Sequence, residues 1–356
     1  MHGRVKSIER EKEQQKTDEQ RQEELSKVRM YHEVAGKVLD LKRQQFFEPS
    51  VLPLTSHLLL LNPEFHMVWN YRRQTIDALA TKSADPAAEW QELAKTELKL
   101  TLDALQRNPK SYSTWFQRKW IIDHRLGDLQ KEIGLCDKLL NLDERNFHCW
   151  NYRRHVCELA NVPKEDQLAF TTQKIEQNFS NYSALHHRSI NLPKPLTAEV
   201  IFDEIELIQQ AVFTEPDDQS AWFYYRWLVT SMVELVKSSA ENAVEFLKKQ
   251  AQWLEELVEM EAEAKWAIVT LADICGRLGV IINVGGWEEA KVHCLDLYDR
   301  AIALDPDHRS YYDDMKRKYS YSRHVIGVCS KDCRIDATPL QSNTFRHFII
   351  AHIDKI

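Results

Sequence analysis

The stretch "RNPKSYSTWFQRKW", residues 107–120, contains the phrase that decides the fold of this chain. Asn108 and Pro109 predict the start of a helix, because asparagine caps helix N-termini and proline fits the first turn. Lys110 then falls in that first turn, where a cation opposes the helix dipole at a cost of about 0.3–1 kcal/mol. Free N–H groups at the same end attract anions, so a lysine beside them predicts a phosphate site.

The aromatic residues of the phrase predict packing between helices. Tyr112 and Trp115 lie three residues apart and share one face of a helix. We expect both to be buried between neighbouring units, each contributing roughly 2–3 kcal/mol through hydrophobic burial. Arg118 continues this face, and a buried arginine needs a carboxylate or backbone carbonyl groups as partners.

The phrase recurs along the chain, and its copies are spaced by roughly 35 residues, a period typical of stacked helix pairs. The other clear copies are "NPEFHMVWNYRR" at 62–73, "DERNFHCWNYRR" at 143–154, "NFSNYSALHHRS" at 178–189 and "EPDDQSAWFYYRW" at 215–227. The residues at the place of Trp115 are Trp69, Trp150, Leu185 and Trp222, and the arginines that follow include Arg72, Arg153 and Arg226. We predict that these tryptophans and arginines pack the repeats together, and that packing differs at Leu185.

Amphipathic stretches separate the copies. In "LQKEIGLCDKLLNLD", for example, Leu129, Ile133, Cys136 and Leu140 form an apolar stripe at helical spacing. Each repeat is therefore predicted to be a helix pair, and the chain an all-α, right-handed α-α superhelix, a crescent-shaped solenoid. The low content of glycine (9 residues) and proline (11 residues) among 356 residues agrees with this.

Composition restricts the class of function. The formal net charge of −7 gives no global basis for nucleic-acid binding. No apolar run is long enough for a transmembrane helix, and the charged N-terminal stretch has no signal core, so we expect a cytoplasmic protein with reduced thiols. Cys329 and Cys333 form an isolated C-x3-C pair, which is a weak indication of zinc.

Three segments are predicted. Residues 1–29 read as a charged N-terminal arm, and residues 30–321 as the helical-repeat domain. Residues 322–356 form a C-terminal tail of different character, a docking segment or the remnant of a further domain. No Gly-rich phosphate loop, dense metal-ligand set or nucleophile–base pair stands out, so the residues alone indicate a scaffold.

The pattern Pro-x-x-Tyr-x-x-Trp-x-x-Arg resembles the signature of protein prenyltransferase α-subunits. This resemblance implies a crescent of helix pairs wrapped around a β-subunit, which holds a zinc ion and most of the lipid pocket. A non-enzymatic scaffold of the tetratricopeptide kind is the alternative from another class, but its Gly-Tyr-Ala pattern is absent from the sequence.

Within the family, the chain resembles the type II branch more than the α-subunit shared by farnesyltransferase and the type I enzyme. Segments that carry this resemblance are "MHGR", "NPKSYSTW", "DERNFHCWNYRR", "NFSNYS", "DQSAWFYYRWL" and "YYDDMKRKY". Ser113 stands where the shared α-subunit has a glutamine tied to reading CaaX peptides. The implied reaction transfers geranylgeranyl from its diphosphate to C-terminal cysteines of Rab GTPases, which an escort protein presents.

The resemblance also implies site residues. Lys110 matches a lysine that contacts the diphosphate, and Tyr112 matches a tyrosine near it. Arg145, at the place of Lys110 in the next repeat, and His148 are weaker candidates for substrate binding, whereas other copies have Glu64 or Asp217 at that place. His2, in "MHGR", is a candidate reversible ligand of the β-subunit zinc. The simpler interpretation is that His2 belongs to a disordered N-terminal tail without a role as a ligand.

Overall fold

The computed structural model describes residues 17–124, 126–281 and 287–326. Every regular element in these ranges is helical, which confirms the all-α prediction. The helices are α1 Asp18–Arg43, α2 Val51–Leu61, α3 His66–Lys82, α4 Pro86–Arg107, α5 Tyr112–Asp123, α6 Leu129–Leu142, α7 Phe147–Leu159, α8 Lys164–Gln177, α9 Tyr182–Asn191, α10 Ala198–Thr214, α11 Gln219–Leu235, α12 Ala240–Met260, α13 Lys265–Ile281, α14 Trp287–Leu304 and α15 Arg309–Ile326, with a 3-10 turn at Pro306–His308.

Consecutive helices pack as pairs, and α2–α3 to α10–α11 form the first to fifth repeats that the phrase marks. The described residues divide into two compact units, one up to residue 193 and the other from residue 194 onward. The predicted boundary at residue 29 stays a prediction; helix α1 runs across this boundary, and the residues of α1 before Tyr31 are exposed.

Most of the predicted C-terminal tail, residues 322–356, lies outside the described residues. No helix in the described ranges has the length and apolarity to cross a bilayer.

The predicted start of the helix at Asn108 was wrong. Asn108 ends α4, and its side-chain Oδ1 accepts the backbone N–H of Lys110 at 3.3 Å, which makes an Asx turn. Ser111 instead caps α5 by accepting the N–H of Thr114 at 3.2 Å. Lys110 therefore precedes the N-cap residue rather than occupying the first helical turn.

The same Asx turn joins the two helices in each of the first four repeats. The side chains that accept are Asn62, Asn108, Asp143 and Asn178, and the donors are the N–H groups of Glu64, Lys110, Arg145 and Ser180. We call these four segments, residues 62–65, 108–111, 143–146 and 178–181, the inter-helix turns.

The repeat tryptophans fasten each turn to the helix that follows it. Their indole Nε1–H groups donate to the backbone carbonyl six residues earlier, from Trp69 to Pro63, Trp115 to Pro109, Trp150 to Glu144 and Trp222 to Pro216, at 2.8–2.9 Å. All four rings are buried. Leu185 fills the same place in the fourth repeat and is 2% exposed, but a leucine has no donor for this bond.

Buried arginines connect successive repeats. Arg118 on α5 donates to the Leu98 carbonyl at 2.8 Å and to the Thr101 hydroxyl at 2.9 Å, both on α4. Its Nε and Nη2 also donate to the two carboxylate oxygens of Glu132 on α6, each at 2.7 Å. One side chain thus joins its own repeat to the next, and this bidentate geometry is the strongest that an arginine–carboxylate pair adopts.

The preceding repeat has the same arrangement. Arg72 donates to the Leu52 carbonyl, to Thr55 at 2.7 Å and to Glu97 of the following repeat at 2.7 Å. Arg153 departs from it: Arg153 pairs with Asp137 at 2.8 Å and lies 3.4 Å from the centre of the Phe170 ring. In the residue 194–356 unit, the hydroxyl of Tyr311 accepts from Arg226 at 3.4 Å.

Replacing Glu132 by alanine is expected to destabilise the fold strongly, because it leaves the Arg118 charge buried and removes the acceptor of the Tyr152 hydroxyl. Loss of one member of a buried ion pair costs about 3–5 kcal/mol. Denaturation followed by tryptophan fluorescence measures this loss. The control is Glu33→Ala, which breaks a solvent-exposed pair with Lys37 and should destabilise the fold far less, because water screens that pair. Equal losses in the two variants would show that the buried pair has no special role.

Candidate functional site

The inter-helix turns of the first four repeats are bonded to one another, and they position the predicted site residues. The hydroxyl of Ser111 donates to the Pro63 carbonyl at 3.5 Å, and the amide of Asn146 donates to the Pro109 carbonyl at 3.0 Å. The amide of Asn178 donates to Glu144. The first turns of α3, α5, α7 and α9 are therefore brought into a row.

Lys110 lies at the exposed edge of this row. Its side chain is 63% exposed, and its Nζ is 3.3 Å from Oδ2 of Asp143 in the next turn. The lysine is thus accessible to an external ligand, although a carboxylate already faces it.

Tyr112, the first residue of α5, is not buried as the sequence predicted. It is 61% exposed, whereas Trp115 is 5% exposed. The Tyr112 ring stands perpendicular to the His148 ring, with the ring centres 4.2 Å apart, and its centre lies 6.0 Å from that of the Phe147 ring. Tyr112 is therefore accessible to solvent, because the repeat packing uses the tryptophan and not the tyrosine.

His148 is buried under Tyr112. Burial lowers the pKa of its imidazole, and the Lys110 charge lowers this pKa further, while Glu64 acts in the opposite direction. The ring is mainly neutral near pH 7, so it can accept or donate a hydrogen bond without adding charge.

Arg145 is directed to the fourth repeat. Its Nη2 donates to the Ser180 carbonyl at 3.0 Å, and its guanidinium lies 5.6 Å from the centre of the Tyr182 ring. The structure gives the two basic residues of adjacent turns different partners, since Lys110 faces Asp143. His2 lies outside the described residues, as do Cys329 and Cys333.

Three neighbours of these residues were missed by the sequence interpretation: Glu64, His66 and Asp143. His66 Nδ1 lies 2.5 Å from the hydroxyl of Ser113, and this hydroxyl is also within 3.4 Å of Glu64. The sequence did contain one signal for His66. The second, third and fourth repeats have Tyr112, Phe147 and Tyr182 three residues before the tryptophan place, whereas the first repeat has His66 there.

These contacts do not form a nucleophile triad. A triad needs a third group that orients the histidine, but Glu64 faces the serine hydroxyl itself. Across residues 17–124, 126–281 and 287–326, no three His, Cys, Asp or Glu side chains are placed to hold a metal ion. The site offers an exposed cation, a phenol and a neutral imidazole, which suits contact with an anion.

The titration of His148 tests this electrostatic description. Lys110→Ala is expected to raise the His148 pKa, because it removes a nearby positive charge, and Glu64→Gln is expected to lower it. NMR of protein labelled at histidine measures both shifts. Lys95→Ala, at an exposed lysine that pairs with Glu92, serves as the control and should leave the titration unchanged. Shifts of the opposite sign would contradict the arrangement.

Comparison with known proteins identifies the repeat. The model of the protein prenyltransferase alpha subunit repeat matches residues 94–125, 129–160, 164–193 and 201–232. The structure also resembles a chain of Candida albicans protein geranylgeranyltransferase-I complexed with GGPP, with a TM-score of 0.65 over 82% of this chain and 91% of that chain. At 19% sequence identity, this similarity concerns the fold alone.

Curated relatives point to one branch. The geranylgeranyl transferase type-2 subunit alpha of Dictyostelium discoideum is 38% identical over 328 residues, which cover 89% of this chain and all of the relative. The human subunit of the same name is 41% identical over 242 residues, 64% of this chain and 42% of the relative. The subunit of Schizosaccharomyces pombe is 31% identical over 350 residues, which cover 89% of this chain and 98% of the relative. Because the similarity extends over all of the Dictyostelium relative and nearly all of the Schizosaccharomyces relative, the chain belongs to the family of geranylgeranyl transferase type-2 α-subunits.

Proposed function

We propose that this chain is the α-subunit of a heterodimeric type-2 geranylgeranyl transferase, which transfers geranylgeranyl from geranylgeranyl diphosphate to C-terminal cysteines of Rab GTPases. The observation that carries the proposal is the 38% identity over the full length of a relative with that name. We further infer a cytoplasmic complex with a β-subunit and an escort protein that presents the Rab substrate.

The chemistry assigned to this chain acts on the leaving group. Transfer breaks the bond between the first isoprenoid carbon and the diphosphate oxygen, and forms a bond from that carbon to the cysteine sulfur. Negative charge on the diphosphate grows as the bond breaks, so a cation placed there stabilises the transition state more than the ground state. Lys110 is suited to this role because its side chain is 63% exposed.

Neighbouring groups complete the assignment. We assign the exposed phenol of Tyr112, two residues after Lys110, to donate a hydrogen bond to the same anion. The His148 ring packs against the tyrosine ring. A zinc ion in the β-subunit would lower the pKa of the acceptor thiol. We assign this ion to the partner, as the family resemblance implies, and His2 remains a proposed reversible ligand of it.

Ser113 favours the type-2 assignment over the α-subunit of farnesyltransferase and the type I enzyme. Its hydroxyl is buried and is engaged with His66 and Glu64. It is therefore not displayed to a peptide substrate, and a serine is too short to replace the longer glutamine that is tied to CaaX reading in the related subunit.

Lys110→Ala in the heterodimer is expected to reduce kcat by about tenfold to a hundredfold, while binding of geranylgeranyl diphosphate weakens less. Single-turnover transfer and lipid binding, measured separately, distinguish these effects. Lys95→Ala, at an exposed lysine paired with Glu92, is the control and should leave both unchanged. An unchanged kcat in Lys110→Ala would remove Lys110 from the chemistry, and transfer by this chain without a β-subunit would contradict the assignment as an α-subunit.

The heterodimer is expected to modify a Rab protein bound to its escort protein but not a free CaaX peptide. Incorporation of labelled geranylgeranyl into each acceptor, at equal enzyme concentration, measures this preference. The reverse preference would support the farnesyltransferase and type I assignment. No incorporation into either acceptor, in a stable complex, would support a scaffold.

A further inference from the structure

Asp143 faces the proposed diphosphate lysine and uses its two carboxylate oxygens differently. Oδ1 accepts the backbone N–H of Arg145 at 3.3 Å, which closes the inter-helix turn of the third repeat. Oδ2 lies 3.3 Å from Nζ of Lys110. The contact of Oδ1 therefore lies within the turn of the third repeat, whereas the contact of Oδ2 reaches the second repeat.

The repeat architecture does not require a charge at this place. Asn62, Asn108 and Asn178 close the corresponding turns with a neutral amide oxygen, which accepts the same backbone N–H. The partner position varies among the turns, since Glu64, Arg145 and Ser180 stand where the second repeat has Lys110. Asp143 is therefore the one acidic residue at its place in these four turns, and it faces one of the two cations found at the other place.

An external anion can replace Asp143 as the partner of Lys110. The side chains of Lys110 and Asp143 are 63% and 36% exposed, so water screens their attraction. Double-mutant measurements on exposed pairs of this kind give about 0.2–1 kcal/mol, which corresponds to roughly a 1.4- to fivefold effect on binding. A diphosphate carries more negative charge than one carboxylate and is therefore able to displace it.

We propose that Asp143 is a built-in counter-ion, which the diphosphate displaces from Lys110 on binding and which recaptures Lys110 when the diphosphate product leaves. Asp143 thus lowers the affinity of the site for inorganic pyrophosphate and promotes product release. Asp143 is a positioning residue, since it acts through Lys110. This inference rests on the proposed function of Lys110.

The charges around Lys110 agree with this role. The charges of Glu64 and Lys110 both act on the pKa of His148, so these three side chains lie near one another. Arg145 is directed away from them, because it donates to the Ser180 carbonyl in the turn of the fourth repeat. Asp143 is the carboxylate in direct contact with Lys110 among the described residues. Replacing it by a neutral residue is therefore expected to remove the carboxylate charge that is paired with the Lys110 ammonium.

Asp143→Asn in the complete heterodimer is the direct test, because asparagine keeps the turn, as in three other repeats, and removes only the charge. We expect inorganic pyrophosphate to inhibit the variant two- to fivefold more tightly, with a steeper loss of affinity as salt is raised. Single-turnover transfer, measured in parallel, should not slow, because the variant keeps the Lys110 charge that acts on the leaving group. A purely structural role would weaken binding and would not tighten it. Asp128→Asn, at a capping residue of α6, is the matched control and should leave pyrophosphate inhibition unchanged.

A double-mutant cycle with Lys110→Ala separates the two levels of the proposal. If Asp143 acts through Lys110, Asp143→Asn has no effect on pyrophosphate inhibition in the Lys110→Ala background. Unchanged or weaker pyrophosphate binding in Asp143→Asn, while Lys110→Ala weakens both binding and transfer, would overturn the counter-ion proposal alone. Unchanged binding and transfer in Lys110→Ala would overturn the proposed function of Lys110 and the counter-ion proposal together.

Discussion

The bidentate ion pair between Arg118 and Glu132 is the interaction on which the arrangement of the repeats depends. An unpaired arginine in the interior is costly, so the α6 carboxylate must lie where the α5 guanidinium points. Arg118 is also bonded to α4, so the relative positions of three helices are restricted by one side chain. Arg72 and Glu97 impose the same restriction one repeat earlier. Such pairs fix the register of neighbouring repeats, whatever their net contribution to stability.

The register determines which residues of the turns meet. Each tryptophan attaches its turn to the following helix through the indole N–H, so a turn cannot move without that helix. With helices and turns fixed in this way, the turn of the second repeat places Lys110 against Asp143 of the third. The proposed site therefore consists of side chains on short turns, held by a rigid scaffold of paired helices, an arrangement common for functional residues.

The separation of packing from chemistry follows from exposure. Within one phrase, Trp115 is buried and fixes the repeat, whereas Tyr112, three residues earlier, is exposed above His148. Lys110 is also exposed, but it is faced by a carboxylate of this chain. The described residues thus present a partly neutralised cation rather than a strong anion site, which agrees with a subunit that contributes one group to an active site completed by a partner.

The sequence by itself determined the helix-pair repeat and its period, because a tryptophan and an arginine recur at fixed places in four of the five repeats, with Leu185 at the tryptophan place in the fourth. These tryptophans and arginines are buried, as the repetition predicted. It also indicated Lys110 through its departure from most copies of the repeat, and both Lys110 and Tyr112 through family resemblance. The helix boundary was mistaken, since Asn108 captures the N–H of Lys110 in a turn instead of capping the next helix. The exposure of Tyr112, the contact of Ser113 with His66 and the pairing of Lys110 with Asp143 were decided only by the tertiary structure. These features depend on how one repeat is stacked against the next. The sequence pattern within a single repeat does not specify which side chains meet across the interface between two repeats.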